Sequence, residues 1–247
     1  MHKIFLLILK VFDFFHQRKI FKFLKLRLVS SDFFFDIGAH RGETIKIYLK
    51  NFKINNIYSF EPIKDNFEII AKKKIFYKKK FPATKINLEC LALGSENMVK
   101  TIKFLDESSS STLKNIDTNS KYFKKKNKFI FKKNLKNFYT EISINQITLR
   151  NYLIKNKINK INFLKIDTEG SEFDVLIGAE DLLKNIELII FEHHYHDMLK
   201  KNYTFSDINK LLIKNNFRQL KKFKMPFRKT FEYIYENRNI NKLNVNK

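Results

Sequence analysis

The sequence contains very little cysteine: Cys90 is the single one among 247 residues. A disulfide framework within the chain is therefore excluded, and no Cys/His spacing typical of a structural zinc site occurs. The scarcity of cysteine favours a reducing compartment, and we expect a cytoplasmic protein. The length indicates one large α/β domain with enough chain to bury a core.

A long apolar run is also missing. A membrane-spanning helix needs roughly 18 or more apolar residues, and the apolar stretch Ile4 to Leu9 is much shorter. A signal peptide is not expected, because Asp13 and His16 follow without a small-residue cleavage site. Residues 1–29 are predicted to form an amphipathic basic helix, separate from a main domain at residues 30–247. The side chains that define its apolar side are Phe5, Leu9, Phe12 and Phe15.

Two interpretations of this helix remain open. It packs on the core of the main domain, or it lies in a membrane interface with Phe and Leu at the lipid boundary and Lys at the head groups. The second interpretation predicts peripheral contact with the inner membrane surface.

Acidic residues are few compared with basic ones, 25 against 49, which gives a formal net charge of +24. Such a charge attracts phosphates, acidic glycans or anionic lipid head groups. Lys, Asn, Ile and Phe are frequent along the whole sequence, however, as A/T-rich codons would produce, so the charge is a weak guide to the partner. A non-catalytic basic module that docks on membrane or nucleic acid stays an alternative, although nucleic acid is not the expected partner.

The dinucleotide fingerprint Gly-x-Gly-x-x-Gly is absent, which disfavours a nucleotide-dependent oxidoreductase. A strand, turn and helix are nevertheless predicted where Phe33–Phe35 lead into Asp36 and the chain turns through Gly38 and Gly42. The glycines allow a ligand to approach the main chain, and the first N–H groups of the helix favour an anionic or polar group. An ordinary β-α turn has the same pattern.

Strands alternate with helices along the chain, which predicts a parallel sheet with helices on both faces. Four carboxylates stand at or just past the carboxyl ends of predicted strands: Asp36, Glu61, Asp167 and Glu192. Ligands of such sheets bind outside these ends, so the four acids are predicted to share one site. Glu61 has the position of a carboxylate that binds ribose hydroxyls.

The composition changes at residues 106–140, which predicts an insertion. A serine-rich loop leads into a segment dominated by Lys, Asn and Phe. This insertion is expected to cover the carboxyl ends of the strands as a substrate lid, with a mobile surface loop as the alternative.

Several motifs together resemble the FkbM family of S-adenosylmethionine-dependent methyltransferases. The most specific is Leu164-Lys-Ile-Asp-Thr-Glu-Gly-Ser-Glu172 followed by Val175-Leu-Ile-Gly-Ala-Glu180. Supporting matches are Phe35–Gly42, Phe60–Pro62, Cys90–Gly94 and Ile147–Leu149. The resemblance implies the Rossmann-like seven-stranded methyltransferase sheet, in which the last two strands form a β-hairpin and one strand is antiparallel.

The resemblance also implies S-adenosylmethionine as the cofactor. Its methionine part is assigned to Asp36, Gly38, Ala39 and Gly42, its ribose to Glu61 and its adenine to the neighbourhood of Ala92. Two positions depart from the family pattern. His40 stands where Asn is usual, and Arg150 stands where Asp usually follows Thr-Leu, so the substrate side is expected to differ.

The implied reaction is methyl transfer to a hydroxyl of a sugar, glycan or polyketide-like acceptor. No Asn-Pro-Pro-Tyr or Asp-Pro-Pro-Tyr motif for base-amine methylation occurs. A hydroxyl holds its proton at neutral pH, so a base is expected to act as the new bond forms. Asp167 is the first candidate, with Glu169 as its partner or a substrate clamp, and His193 is the next. A divalent cation on Asp167, Glu169 and Glu192 is the alternative, although a metal is not favoured.

Overall fold

The computed structural model describes residues 2–28, 30–105, 111–128 and 139–239. The α-helices are α1 (His2–Leu24), α2 (Glu43–Asn51), α3 (Lys64–Lys80), α4 (Lys121–Lys126), α5 (Leu149–Lys155), α6 (Glu172–Ile177) and α7 (Phe205–Lys214). A 3₁₀ helix spans Glu180–Asn185. The strands are β1 (Ser30–Ile37), β2 (Lys53–Phe60), β3 (Lys85–Glu89), β4 (Ala92–Gly94), β5 (Met98–Phe104), β6 (Asn115–Ile116), β7 (Thr140–Thr148), β8 (Ile161–Ile166), β9 (Ile186–His194), β10 (Leu199–Lys200), β11 (Phe217–Lys224) and β12 (Thr230–Asn237).

The central sheet has seven strands in the order β11-β12-β9-β8-β1-β2-β3. The pairs from β9 to β3 are all parallel, whereas β12 is antiparallel to both β9 and β11. The seven-stranded sheet and its carboxyl-terminal hairpin are therefore confirmed. Because β1, β2, β8 and β9 are parallel, their carboxyl ends meet at one edge of the sheet.

Alternating side chains of the strands build a core on each face of the sheet. Phe34 and Phe163 are fully buried on one face, where α1, α2 and α3 contribute Ile20, Ile45 and Ile70. Phe35 and Leu164 are fully buried on the other face, where α5, α6 and α7 contribute Tyr152, Leu176 and Ile208. The expectation of helices on both faces is confirmed, and the uninterrupted apolar runs of β1 and β8 follow from burial on both sides.

The chain leaves the central sheet after its edge strand. β3 ends at Glu89, and the chain then enters β4, which belongs to a separate three-stranded sheet in the order β4-β7-β5. Thr140–Thr148 forms the middle strand of that sheet. The second sheet places Ala92 and Leu93 beside the carboxyl ends of the central strands.

Helix α1 is amphipathic, but its inward side differs from the predicted one. Leu9, Ile20 and Leu24 are buried against the central domain, which agrees with a helix that packs on the core. Phe12 and Phe15, which are predicted to share the apolar side with Leu9, are 42% and 52% exposed. The buried positions keep the spacing of one helical face, and this face excludes residues 12 and 15.

The predicted domain boundaries, with a division between residues 1–29 and 30–247, stay predictions. Of the predicted insertion at 106–140, residues 106–110 and 129–138 lie outside the described residues. Its described part contains β6, which pairs with β10, and α4. No helix in the described part of the chain combines the length and the apolar character needed to cross a membrane.

Candidate active site

The turn between β1 and α2 forms the first wall of the candidate site. Gly38 has φ of +82°, and the N–H groups of Gly38 and Ala39 both donate to the Phe60 carbonyl at 3.0 Å. A Cβ atom on Gly38 would lie 1.9 Å from the carbonyl oxygen of Asp167. Only glycine combines this left-handed conformation with such an approach, so it allows the end of β1 to touch the loop after β8.

Gly42 supports this turn from behind. Its φ is +80°, its N–H donates to the Ala39 carbonyl at 2.8 Å, and α2 begins at the next residue. A Cβ atom on Gly42 would meet the Ile70 side chain at 3.4 Å, an ordinary contact. Gly38, Ala39 and His40 line the central cavity, whereas Gly42 does not. The structure therefore gives Gly42 a place in the turn rather than in the cavity wall.

Glu61 follows β2 and ties the next loop to the turn. Its carboxylate accepts hydrogen bonds from the His40 N–H at 2.8 Å and from the Ile63 N–H at 3.0 Å. Burial raises the pKa of Glu61 to about 7, although these N–H groups act in the opposite direction. Glu61 and Ala92 both line the cavity, as the sequence analysis predicted for ribose and adenine.

Asp36 is fully buried behind the turn, and Lys165 separates it from the cavity. The two residues are register partners on β1 and β8, with Lys165 Nζ 3.4 Å from Asp36 Oδ1 and 3.2 Å from Asp167 Oδ2. Neither carboxylate oxygen of Asp36 has a hydrogen-bond partner among the described residues, and burial raises its pKa. Burial alone would lower the pKa of Lys165, but Asp167 and Asp36 raise it. The ammonium therefore stays charged between the two acids.

The loop after β8 holds Asp167 and Glu169 at the cavity wall. Glu172 fixes this loop, because its Oε1 accepts from the N–H of Gly170 at 2.9 Å and its Oε2 accepts from the Tyr203 hydroxyl at 2.7 Å. Glu169 has φ of +49°, a conformation that non-glycine residues adopt rarely and that often marks functional loops. The Lys-Ile-Asp-Thr-Glu-Gly-Ser-Glu motif thus combines residues that face the cavity with a final Glu that supports them.

Strand β9 continues the wall with Glu192 and His194, which alternate onto the same side of the strand. His194 Nδ1 contacts Thr230 Oγ1 at 3.1 Å, and its Nε2 has no hydrogen-bond partner among the described residues. Glu169 Oε2 and Glu192 Oε1 lie 3.4 and 3.6 Å from this Nε2. Burial and the nearby cations and histidines lower the pKa of His194, so its imidazole is neutral near pH 7.

Glu192 itself lies in an acidic environment. Burial, followed by the carboxylates of Asp167 and Glu169, raises its pKa well above the ordinary value. Its register partner on β12 is another acid, Glu232. Glu192 therefore holds its proton more tightly than an ordinary carboxyl group does.

His193 does not fit the catalytic prediction. Because β9 is extended, residue 193 points away from Glu192 and His194, and its ring packs 4.8 Å from that of Tyr195 and 5.8 Å from that of Phe205. It is absent from the cavity wall, and burial lowers its pKa to about 3. The physical reason is the two-residue alternation of a strand, which brings His194 to the cavity instead.

Helix α1 and the β11–β12 hairpin form another wall of the cavity. His16 Nε2 contacts Glu232 Oε2 at 2.6 Å, and the Arg228 guanidinium makes a two-point ion pair with Asp13 at 2.5 and 2.9 Å. Bidentate pairs of this kind are geometrically specific. They connect residues more than 200 positions apart in the sequence.

The described part of the insertion also reaches the cavity. Thr112 donates through its hydroxyl to the Glu169 carbonyl at 2.6 Å, and the ring of Tyr122 stacks on His196 with 4.1 Å between centroids. Lys121, Lys125 and Lys126 are among the lining residues.

A single cavity of about 960 Å³ joins all of these walls. Its volume is at the upper end of the roughly 300–1,000 Å³ typical of ligand sites. It brings together six predicted site residues at its wall, namely Gly38, Ala39, Glu61, Ala92, Asp167 and Glu169. Asp36 lies behind Lys165, Gly42 lies behind the turn, and His193 lies on the other side of β9.

The structure does not support the alternative of a metal held by Asp167, Glu169 and Glu192. Within the ranges that the structure describes, no group of three or more His, Cys, Asp or Glu side chains is arranged to hold a metal ion.

Sequence reasoning missed several residues of the cavity. No role is assigned from the sequence to Lys165, His194, Glu232, Asp13 or Arg228. Side chains alternate between the two sides of a strand, so His194 lies on the same side as Glu192 once the strand is known to continue to residue 194. No local signal indicates the contacts of α1 with the hairpin, because their partners are distant in sequence.

Comparison with known proteins identifies relatives of this chain. The family model described as the Methyltransferase FkbM domain matches residues 36–219. No curated protein matches the sequence significantly. Among solved structures, the methyltransferase FkbM from Methylobacillus flagellatus KT is 16% identical with a TM-score of 0.53, and the match covers 84% of this chain but 43% of that one. The chain therefore spans less than half the length of that protein.

Two further structures are similar at lower TM-scores. Sp1610 from Streptococcus pneumoniae, solved with S-adenosyl-L-methionine, is 11% identical with a TM-score of 0.47, over 89% of this chain and 72% of that one. TrmK from M. capricolum, solved with S-adenosyl-homocysteine, is 13% identical with a TM-score of 0.47, over 89% and 67%.

Proposed function

This chain belongs to the FkbM methyltransferase family, and we propose that it transfers a methyl group from S-adenosylmethionine to a hydroxyl of a sugar, glycan or polyketide-like acceptor. The observation that carries the proposal is the contact between the Gly38 turn and the Asp167 loop. It brings main chain that carries no side chain next to Asp167 and Glu169. These acids stand where the acceptor would bind, a part of the cavity that we call the acceptor end.

The residues present fit this donor. Gly38 and Ala39 present main chain at the cavity wall, and Glu61 offers a carboxylate to a ribose there. Asp36 lies behind Lys165 and supports this wall from within, so it does not itself contact the donor. S-adenosylmethionine, when bound, supplies an electrophilic methyl group.

The residues of the acceptor end then have two tasks. They hold the acceptor oxygen in line with the methyl group, since alignment accounts for much of the rate of such transfers. They also accept the hydroxyl proton as the new bond forms, which is typically worth ~10²–10⁴-fold. We assign the base to Asp167, which faces the cavity with Lys165 at 3.2 Å.

His194 takes the place that the sequence analysis gave to His193. Its neutral Nε2 is buried at the cavity wall without a hydrogen-bond partner among the described residues. Glu169 and Glu192 lie close enough to stabilise the imidazolium if His194 receives a proton. Glu169 therefore acts as a positioning residue or an acceptor clamp.

Isothermal titration of the purified protein with S-adenosylmethionine, and in parallel with NAD, tests the donor without knowledge of the acceptor. We expect saturable binding of S-adenosylmethionine and none of NAD, since the third glycine of the dinucleotide fingerprint is missing. Binding of NAD alone would replace the proposal by an oxidoreductase. If neither ligand binds, a methyl-donor role is excluded, and the basic surface becomes the remaining basis for function.

A positive titration leads to an acceptor screen with isotopically labelled methyl donor. We expect label in hydroxylated sugars, glycans or polyketide-like acceptors. Label found only on the ring nitrogens of nucleic acid bases would contradict the proposed acceptor class while leaving the methyltransferase activity in place.

A further inference from the structure

An exposed apolar surface extends from one rim of the cavity and takes no part in the proposed chemistry. We define the outer patch as Val11, Phe12, Phe14 and Phe15 of α1 together with Phe227 of the β11–β12 hairpin. These side chains are between 42% and 69% exposed. The rings of Phe12 and Phe227 pack edge to face at 5.0 Å, so the two elements form one continuous surface. Contiguous exposed apolar side chains of this kind mark sites of interaction.

Cations border the outer patch. Arg18, Lys19 and Lys22 are exposed on α1 directly after the aromatic residues, and Lys229 is exposed next to the hairpin tip. The helical repeat places residues 18 and 22 on the same side as residues 11 and 15. Asp13 is the only acid among residues 1–31, and it is paired with Arg228. The surface therefore combines apolar side chains with exposed cations.

This combination distinguishes between two occupants. A second copy of the chain on a two-fold axis would bring like cations together, and juxtaposed like charges disfavour association. An anionic bilayer presents negative head groups to the cations and an apolar boundary to the aromatic side chains. Charge complementarity thus favours a lipid surface.

We propose that the outer patch and its bordering cations dock this protein on an anionic lipid bilayer. Leu9, Asp13, Met225 and Phe227 line the cavity from the same two elements. Docking therefore brings the acceptor end of the cavity next to the membrane. The docking is independent of the proposed methyl transfer, because none of the residues in the outer patch takes part in the chemistry.

Sedimentation with vesicles tests the docking. We compare phosphatidylcholine vesicles with vesicles that also contain phosphatidylglycerol, at low and high salt, using the full chain. We expect binding to the anionic vesicles that weakens with salt, because the cations are exposed and screened. The double substitution Phe14→Ser with Phe15→Ser should weaken this binding by at least ~tenfold, because it removes two aromatic side chains that the bilayer would bury.

Ile75→Ser with Phe76→Ser provides the matched control. These residues are 66% and 56% exposed on α3 and also lie among lysines, so a general effect of aromatic residues and charge would affect both variants alike. We expect the control to bind vesicles like the parent chain. Thermal unfolding and titration with S-adenosylmethionine verify that both variants stay folded.

Three results would overturn the docking proposal. These are equal binding to neutral and anionic vesicles, full binding by the Phe14/Phe15 variant, and a concentration-dependent dimer in light scattering that this variant loses. The last result would assign the outer patch to a second copy of the chain. If the parent chain does not bind S-adenosylmethionine, that result counts against the proposed function and leaves the docking test valid.

Discussion

The two ends of the cavity are built by different means. The proposed donor end is centred on one short turn, residues 38–40, whose positions are set by main-chain hydrogen bonds and by Glu61. The acceptor end consists of side chains from α1, the loop after β8, β9 and the hairpin, as in the pairs Asp13–Arg228 and His16–Glu232. A site built from main chain depends on the absence of a Cβ atom, whereas a site built from side chains can change by substitution.

The largest effect should come from Gly38→Ala, at the donor end. Gly38 and Gly42 have nearly the same φ, +82° and +80°, so alanine costs a similar ~1–2 kcal/mol of backbone strain at either position. At Gly38 the new Cβ also meets the Asp167 carbonyl. We expect Gly38→Ala to lose a further ~1–3 kcal/mol of unfolding free energy and to abolish S-adenosylmethionine binding.

Gly42→Ala is the matched control, because its Cβ has an ordinary contact with Ile70. Chemical denaturation and calorimetric titration of both variants separate backbone strain from the clash. Equal losses in the two variants would show that the contact between the turn and the Asp167 loop is unimportant.

Asp167→Asn should affect the acceptor end alone. The change removes the proposed base while keeping the shape of the side chain, so we expect kcat to fall by ~10²–10⁴-fold with nearly unchanged affinity for S-adenosylmethionine. Asp181→Asn is the control, since Asp181 pairs with Arg150 and does not line the cavity. Normal turnover in Asp167→Asn would remove Asp167 as the base.

A smaller effect is expected for His194→Gln, compared with His193→Gln on the opposite side of the same strand. Gln at 194 cannot take up a proton, so kcat should fall by ~10-fold or more and the pH dependence of kcat should change. Gln at 193 disturbs packing against Tyr195 and Phe205, so its thermal midpoint should fall while kcat of the folded protein is retained. The opposite pattern would restore the assignment of His193.

The smallest effect is a pH dependence at the donor end. Glu61 has a folded pKa of about 7 against an ordinary value of 4.5, so between these values the folded protein holds a proton that the unfolded chain has released. Stability should therefore decrease as pH rises through this window. Affinity for S-adenosylmethionine should increase toward and above pH 7, as Glu61 becomes a carboxylate that accepts ribose hydroxyl hydrogen bonds.

Glu61→Gln removes this titration. Stability and the affinity for S-adenosylmethionine should therefore both depend less on pH in the variant. The affinity at high pH should fall by ~1.5–3 kcal/mol, the usual contribution of hydrogen bonds to a charged group. Titration calorimetry and thermal unfolding from pH 5 to 8 provide the comparison. An unchanged pH profile of affinity in the variant would assign the ribose contact to another residue.

Much of the donor end could be predicted from the sequence. The apolar run before Asp36, the glycine spacing and the acid after the second strand are local signals, and the structure places Gly38, Ala39 and Glu61 at the cavity. Asp36 was predicted at the strand end, but its burial behind Lys165 depends on the register of β1 with β8. That register is a long-range pairing, and a local pattern does not report it.

The sequence by itself determined the alternation of strands and helices in the central sheet and the family, because these follow from periodicity and from short motifs. Tertiary structure alone decided which side of β9 faces the cavity, which residues of α1 are buried and which acids lie together at the cavity wall. The physical reason is that a strand or helix fixes only the relative directions of its side chains. Packing against distant partners such as Glu232 and Arg228 then decides which direction becomes the interior.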